Sequence, residues 1–298
     1  MNMLERKTAD LTSTFSNLDA NRLDQFLLTF THEVQQLEKY YPREMITHAI
    51  HPIRHLAAAS PFLERAQRWP RGYQGDFQTI EHILNAENKA SPGTMAYAIE
   101  DFFLHSPICQ QHRNKVTAQA ALISSVIAGN GAARILSIGC GTSADLYACS
   151  EALAASACEV VLVDTDVSAL EYSRGRLPEL EGRLSVIEGN VYRIAKKIPA
   201  HFDLIIIGGV FDYLEDKAIV AITKELRAKL NPDGILFFTN IATGNPYRVS
   251  MEYLADWCLI ERSSNDIFNL LKSSGAHERY EIEKEDTGLT YLVKVYKK

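Results

Sequence analysis

Four short stretches carry residues whose type and spacing suit chemistry as well as packing. In Gly139-Cys140-Gly141-Thr142-Ser143-Ala144, an apolar run leads into a helical pattern. The two glycines permit a tight turn and let a ligand lie against the backbone at a helix N-terminus. Asp164 ends the next apolar run, VVLVD, 25 residues past Gly139, with Thr165 behind it. A carboxylate there can accept both hydroxyls of a ribose; the alternative is a helix cap, a task that Asp166 can also perform. Asn190 closes SVIEGN, where its amide can meet the edge of adenine while Val191 or Tyr192 packs on the ring, or can simply stabilise a turn. Beyond FDLIIIGG lie Phe211, Asp212 and Tyr213, which face the ligand crevice if the sheet is open and doubly wound. In the alternative, Phe211 and Leu214 pack the following helix while Asp212 or Asp216 caps it.

Further candidates lie outside these stretches. Asn240, Tyr247, Arg248 and Glu252 follow the run GILFFTN and are candidates for substrate contact. Upstream, WPRGYQGDF has neither helical nor strand period, and with LHSPICQQHRNK it offers Arg71, Tyr73, Asp76, Phe77, Arg113 and Asn114. Gly72 and Gly75 permit close backbone approach there. His48, His51 and His55 are spaced by three and then four, but Pro52 interrupts their helix and no acidic or cysteine ligand matches, so no metal is expected.

These residues need elements to hold them. Apolar residues Leu23, Phe26, Leu27, Phe30, Val34 and Leu37 form one helical stripe from Asn21 to about Tyr41. Similar patterns around Arg43–Leu56, Gln78–Leu84, Thr94–Leu104 and His112–Ile127 make residues 1–128 a mainly helical domain. After Gly129-Asn130-Gly131 the grammar changes. Apolar runs (ARILSIG, EVVLVD, RLSVIEGN, FDLIIIGG, GILFFTN) alternate with helical patterns, which implies a parallel, doubly wound sheet in a second domain, residues 129–298. The tail HERYEIEKEDTGLTYLVKVYKK predicts an antiparallel hairpin turning at Asp286-Thr287-Gly288.

Composition narrows the class of function. The chain has 298 residues, 46% hydrophobic and 23% charged, and no apolar run approaches the ~18 residues that span a bilayer. Net charge is −6, with 12 basic against 13 acidic residues up to Ala128 and 19 against 24 after it. Neither part has the basic stripe that a nucleic acid requires, so the expected partner is a small or carrier-bound molecule. The N-terminus lacks the pattern of a secretory or transit peptide, and the five cysteines form no CxxC pair, so a cytoplasmic location is expected.

The ordered set ILSIGCGTSADL, VVLVDTD, VIEGNV, FDLIIIGGVFDYLED and GILFFTN, closed by a hairpin, resembles class I S-adenosylmethionine-dependent methyltransferases from Arg134 to the C-terminus. The resemblance implies a Rossmann-like, mostly parallel seven-stranded α/β sheet with S-adenosylmethionine as cofactor. Gly139 and Gly141 would cradle its methionine part, Asp164 with Thr165 would hold ribose, and Asn190 with Val191 would hold adenine. Phe211 and Arg113 would add cofactor contacts. Members often carry Asp where this chain has Asn190.

PRGYQGDF, QHRNK, SIGCG, FDYLED and GNPYRVSMEYLADWCLIER together resemble a narrower bacterial group that includes enzymes making methyl 3-hydroxypalmitate. That likeness implies an N-terminal helical lid, with Tyr73 and Asp76 reaching the cofactor and reacting centre beside Asp212 and Tyr213. Arg71, Phe77, Asn114, Asn240, Tyr247 and Arg248 would then contact substrate. The expected activity is methylation of a carboxylate or hydroxyl on a small acid or acyl metabolite in signalling or secondary metabolism.

Other readings compete on the same fold. Azetidine-2-carboxylate synthases resemble methyltransferases but cyclise the cofactor and release methylthioadenosine. Such a reaction would use Tyr73, Phe77, Phe211 and Tyr213 as an aromatic box around the sulfonium, with Asp76 or Asp212 as polar partner. A nicotinamide dehydrogenase and a non-catalytic cofactor-binding protein complete the alternatives.

Overall fold

A computed structural model of the chain describes residues 2–297. It divides into two compact units, Met1–Gln110 with Pro246–Cys258, and Gln111–Asn245 with Leu259–Lys298. The sequence reading divided the chain at 128/129.

The first unit is helical: α1 Met3–Ser16, α2 Leu23–Glu38, α3 Arg43–Ala49, α4 His51–Ala57, α5 Pro61–Arg68, α6 Phe77–Asn85 and α7 Met95–His105. The apolar stripe of α2 is buried in full, with Phe30, Val34 and Leu37 sealed from solvent. The expected Arg43–Leu56 helix is two, because the chain breaks at Ile50 and restarts with Pro52 in the first turn of α4, where its missing N–H costs nothing. α1 was not anticipated. Asn2 and Glu5 form a reciprocal capping box at its start, and Leu4, Thr8, Leu11 and Phe15 form its buried face.

Pro246–Cys258 joins this unit through α14, Arg248–Leu254. Its attachment is polar and specific. Arg248 makes a bidentate pair with Glu38 at 2.9 and 2.6 Å. Arg43 donates to the Glu252 carbonyl at 2.7 Å, Arg54 to that of Tyr253 at 2.6 Å, and Gln67 to that of Leu254 at 2.8 Å. These donors satisfy carbonyls near a helix end that otherwise lack partners.

Helix α8, Pro107–Gly129, begins in the first unit and continues into the second. The second unit then runs β1 Arg134–Ile138, α9 Ala144–Tyr147, α10 Ser150–Ala154, β2 Glu159–Asp164, α11 Val167–Arg176, β3 Leu184–Glu188, α12 Val191–Ile194, β4 Phe202–Ile207, α13 Asp216–Ala228 and β5 Leu230–Ile241. It closes with α15 Ser264–Ser273, β6 Tyr280–Lys284 and β7 Thr290–Tyr296. The seven strands form one sheet in the order β3-β2-β1-β4-β5-β7-β6, parallel from β3 to β5 and antiparallel at β7 and β6. The doubly wound sheet with its C-terminal antiparallel pair is the architecture expected from the alternating runs.

Strand alternation splits the core into two layers. Leu136, Ile138, Val161, Val163, Ile205, Ile207 and Phe238 face α13 and α15. Ile135, Val160, Leu162, Leu204, Ile206 and Phe237 face Ile123 and Ile127 of α8. Both faces of the strands are therefore covered, which is why the runs read as continuously apolar. Among the described residues no helix is long and apolar enough to cross a membrane.

Candidate functional site

The strand order reverses between β1 and β4, so their carboxyl ends flank the place where open sheets of this kind bind ligands. After β1 the chain enters Gly139 at φ +61° and Gly141 at φ +52°. At Gly139 a side chain is excluded by contact as well as by conformation, since an added Cβ would overlap Val210 Cγ2 from the loop after β4. The two ligand-facing loops are thus packed on one another.

Asp164, at the end of β2, closes this arrangement. Its Oδ2 accepts the Gly141 N–H at 2.9 Å and its Oδ1 accepts the Asp166 N–H at 3.0 Å. Asp166 caps α11 through the Ser168 N–H at 3.0 Å, so Asp164 is not the cap. The capping is thus done by Asp166, as the sequence allowed, and the Asp164 carboxylate also braces the glycine loop. An ionised carboxylate has about four lone-pair sites, so these N–H groups leave acceptor capacity for a further donor. Burial raises its pKa, opposed by backbone N–H groups from Asp166, Gly141 and Thr165. Thr165 is exposed.

Asn190 caps the short helix α12, its Oδ1 accepting the Tyr192 N–H at 3.0 Å, so the turn role is realised. Its amide N–H groups point to no partner given by that cap. Val191 is buried in the core layer beneath, while Tyr192 is exposed.

The loop after β4 separates residues that the sequence grouped. Phe211 is fully buried, its ring 5.0 Å from that of Phe238 in the core layer, so it is a packing residue and not a cofactor contact. Asp212 turns inward: Oδ1 accepts the Ile241 N–H at 2.7 Å, and its carbonyl accepts the Ile260 N–H at 2.8 Å. Neither Asp212 nor Asp216 caps α13, whose N-cap is Glu215 without a side-chain bond. Burial pushes the Asp212 carboxyl up to about 6, against the charge of Lys115, the Ile241 N–H and the charge of Arg262. Tyr213 lies next to it and is 38% exposed.

Three residues missed in the sequence complete this region. Lys115 of α8 is buried, and burial lowers its pKa while Asp212 and Glu285 oppose the shift. An added Cβ at Gly209 would lie 3.8 Å from Lys115 Nζ and 3.8 Å from Asp212 Oδ2. Gln119, one turn further along α8, fills the position over Gly208, where an added Cβ would come within 2.6 Å of its Nε2. Arg262, 2% exposed, donates to the carbonyls of Phe211 at 3.0 Å and Leu214 at 2.6 Å and pairs with Asp216 at 2.8 Å, fixing the loop that carries Asp212. The QHRNK stretch signalled Lys115; nothing local marks Arg262.

Several expected substrate contacts have structural partners within the protein. Asn240 is buried, donates to the carbonyls of Ile241 and Ile260 at 3.0 Å each, and accepts from Arg262 at 2.7 Å. Asn114 donates to Glu285 at 2.7 Å, tying α8 to the β6–β7 turn. Arg248 is held by Glu38 in the helical unit, and the pKa of Tyr247 is raised by burial and by Asp24. Arg113 is half-buried on α8.

The WPRGYQGDF loop belongs to the helical unit. Asp76 is 1% exposed and caps α6 by accepting the N–H groups of Gln78 at 2.9 Å and Thr79 at 3.1 Å while pairing with Arg65 at 2.6 Å. This carboxylate is occupied by capping, which its position before Phe77-Gln78 explains. The Arg71 guanidinium stacks over the Phe77 ring at 4.9 Å. Gln74 makes a two-way amide pair with the backbone of Cys258 at 2.9 and 2.7 Å, and Trp69 Nε1 donates to the Asp256 carbonyl at 3.2 Å. Tyr73 is half-buried between these anchors.

Comparisons with known proteins bear on the sheet unit. Residues 136–236 match the family model described as "Methyltransferase domain". No curated protein matches the chain in sequence. Among solved structures, a possible exported protein from Bordetella parapertussis superposes with a TM-score of 0.62 at 14% identity, covering 99% of this chain and 97% of that one. A candidate O-methyltransferase from Nostoc punctiforme gives 0.51 at 13% identity over 81% and 71% of the two chains. These likenesses concern the fold. The strand order and the likeness to these solved structures give the sheet unit the class I methyltransferase-like fold, and within it residues 136–236 are similar to a methyltransferase domain.

Proposed function

We propose that the chain is an enzyme that binds S-adenosylmethionine on the sheet unit and transfers its methyl group to a carboxylate or hydroxyl of a small acid or acyl metabolite. The observation that carries the cofactor assignment is the pairing of the positive-φ glycine loop after β1 with Asp164 after β2, within a stretch matching a methyltransferase domain. Gly139 and Gly141 leave backbone accessible to the methionine part, and Asp164 retains acceptor sites for ribose hydroxyls. Asn190 keeps its amide donors for adenine, with Val191 behind it.

Transfer from a sulfonium asks little covalent chemistry of the protein. A nucleophilic oxygen must approach the methyl carbon in line with the departing sulfur, with water excluded. A carboxylate acceptor attacks as the anion and loses no proton. A hydroxyl acceptor must give up a proton, and Asp212, half-ionised near pH 6, is the group in this unit suited to receive it. Tyr213 stands beside it as a candidate contact.

For cyclisation of the cofactor, Phe211 is committed to the core, which leaves an aromatic box one of its four candidate members short. The test is incubation of the purified chain with S-adenosylmethionine and a panel of short hydroxy and fatty acids. Formation of S-adenosylhomocysteine that depends on one acid supports the reading. Methylthioadenosine without any acid, or an untouched cofactor across a broad panel, opposes it.

A further inference from the structure

Lys115 is 6% exposed, and its Nζ forms no hydrogen bond or ion pair with another described residue. Nζ is not among the fully buried atoms that lack a partner, so the buried stem ends in a nitrogen that keeps a small opening to solvent, through which a ligand can reach it. Two carboxylates supply the compensating field without bonding it. Asp212 gives Oδ1 to the Ile241 N–H, and Glu285 accepts from Thr287, Leu289, Thr290 and Asn114. Glu285 is thus occupied by these donors, and the Lys115 Nζ is left without a bonded partner among the described residues.

Its surroundings say where it is aimed. The position that a Cβ would take on Gly209 lies 3.8 Å from Nζ, and Gly209 has φ +128°, which keeps that position bare. The next residue, Val210, packs against Gly139 of the loop after β1. The free ammonium and the bare backbone therefore share one point immediately beside the glycine loop.

We propose that Lys115 is a carboxylate-binding residue, its ammonium receiving a ligand carboxylate over Gly209 at the carboxyl end of β4. Under the methyl-transfer reading, on which the naming of the ligands rests, that carboxylate has two sources with the same chemistry: the methionine part of the cofactor, or the acid acceptor. A charge-assisted N–H···O bond suits either one. On an acceptor it would hold one oxygen and leave the other for the methyl carbon.

The test uses the full chain as wild type, as Lys115→Met, and as the paired Lys115→Met/Asp212→Asn variant, which avoids stranding the Asp212 charge. Each is titrated calorimetrically with S-adenosylhomocysteine, with 5′-methylthioadenosine, which lacks the carboxylate, and with 3-hydroxyoctanoate. Weakening of S-adenosylhomocysteine by about 10- to 100-fold in both variants, with 5′-methylthioadenosine unchanged, assigns Lys115 to the cofactor carboxylate. An unchanged S-adenosylhomocysteine affinity with loss of 3-hydroxyoctanoate binding assigns it to the acceptor. Variants that bind both carboxylate ligands as the wild type does, or a wild type that binds neither, would overturn the proposal. Absence of nucleoside binding with Lys115-dependent 3-hydroxyoctanoate binding would remove methyl transfer and leave the carboxylate site standing.

Discussion

Asp164 Oδ2 accepts the Gly141 N–H at 2.9 Å, joining the loop after β1 to the end of β2. The same carboxylate is assigned to the ribose, so its removal acts twice: it loosens the glycine loop and deletes ligand acceptors. Asp164→Ala is expected to weaken S-adenosylhomocysteine about 10- to 100-fold, the effect of losing one or two hydrogen bonds to a charged group. Calorimetry checks it, and an unchanged affinity would remove the ribose assignment.

The Asp212 carboxyl, raised to about 6 by burial, sets a pH dependence with a definite sign. Below that value it is protonated and cannot take a proton from a hydroxyl acceptor, so kcat should fall as pH drops from 7 to 5 and level off above 7. Asp212→Asn should abolish that limb. Stability runs the other way. The folded pKa lies above the unfolded one, so the stabilisation from protonation is complete below about pH 4 and is lost as pH rises through about 6. Urea unfolding of wild type relative to Asp212→Asn should therefore weaken by about 1–3 kcal/mol between pH 4 and 7.

Gly139 and Val210 should show coupling. Gly139→Ala meets Val210 Cγ2 and a positive φ at once, and the backbone part alone costs about 1–2 kcal/mol. Adding Val210→Ala removes the clash and leaves the φ term, so a double-mutant cycle by urea unfolding should recover about 1 kcal/mol or more. Additive effects would mean that the two loops are not packed as described.

Asp76 is expected to act on stability. Asp76→Ala removes the cap of α6 and the partner of Arg65, a loss of about 1–3 kcal/mol in unfolding free energy, whereas Asp76→Asn retains a capping oxygen and should lose less. If Asp76→Asn abolished turnover while leaving stability intact, a chemical role would have to be restored to it.

These residues show what a sequence discloses. The strands were legible because both faces of the sheet are covered, and burial on both sides writes an uninterrupted apolar run such as FDLIIIGG. Gly139 and Gly141 were legible because both adopt positive φ, which few other residues tolerate. Arg262 was not, since its partners Phe211, Asn240 and Asp216 lie 22 to 51 positions away and no local pattern marks them. Lys115 lies in QHRNK beside Arg113 and Asn114, and it is the fold that sets it beside Gly209. Phe211, Asn240, Asn114, Arg248 and Asp76 were singled out for a ligand, and the fold gives each of them a structural task as well. Polar residues near strand ends are recruited to satisfy backbone groups as readily as to bind ligands, and their types do not distinguish the two uses.

Methyl transfer is tested most directly by following the methyl group. The chain is incubated with S-adenosylmethionine carrying a ¹³C-labelled methyl and with the acid that supports turnover, and the label is located by NMR and mass spectrometry. Label on an oxygen of the acid, matched mole for mole by S-adenosylhomocysteine, is the expected result; label retained in methylthioadenosine would contradict it.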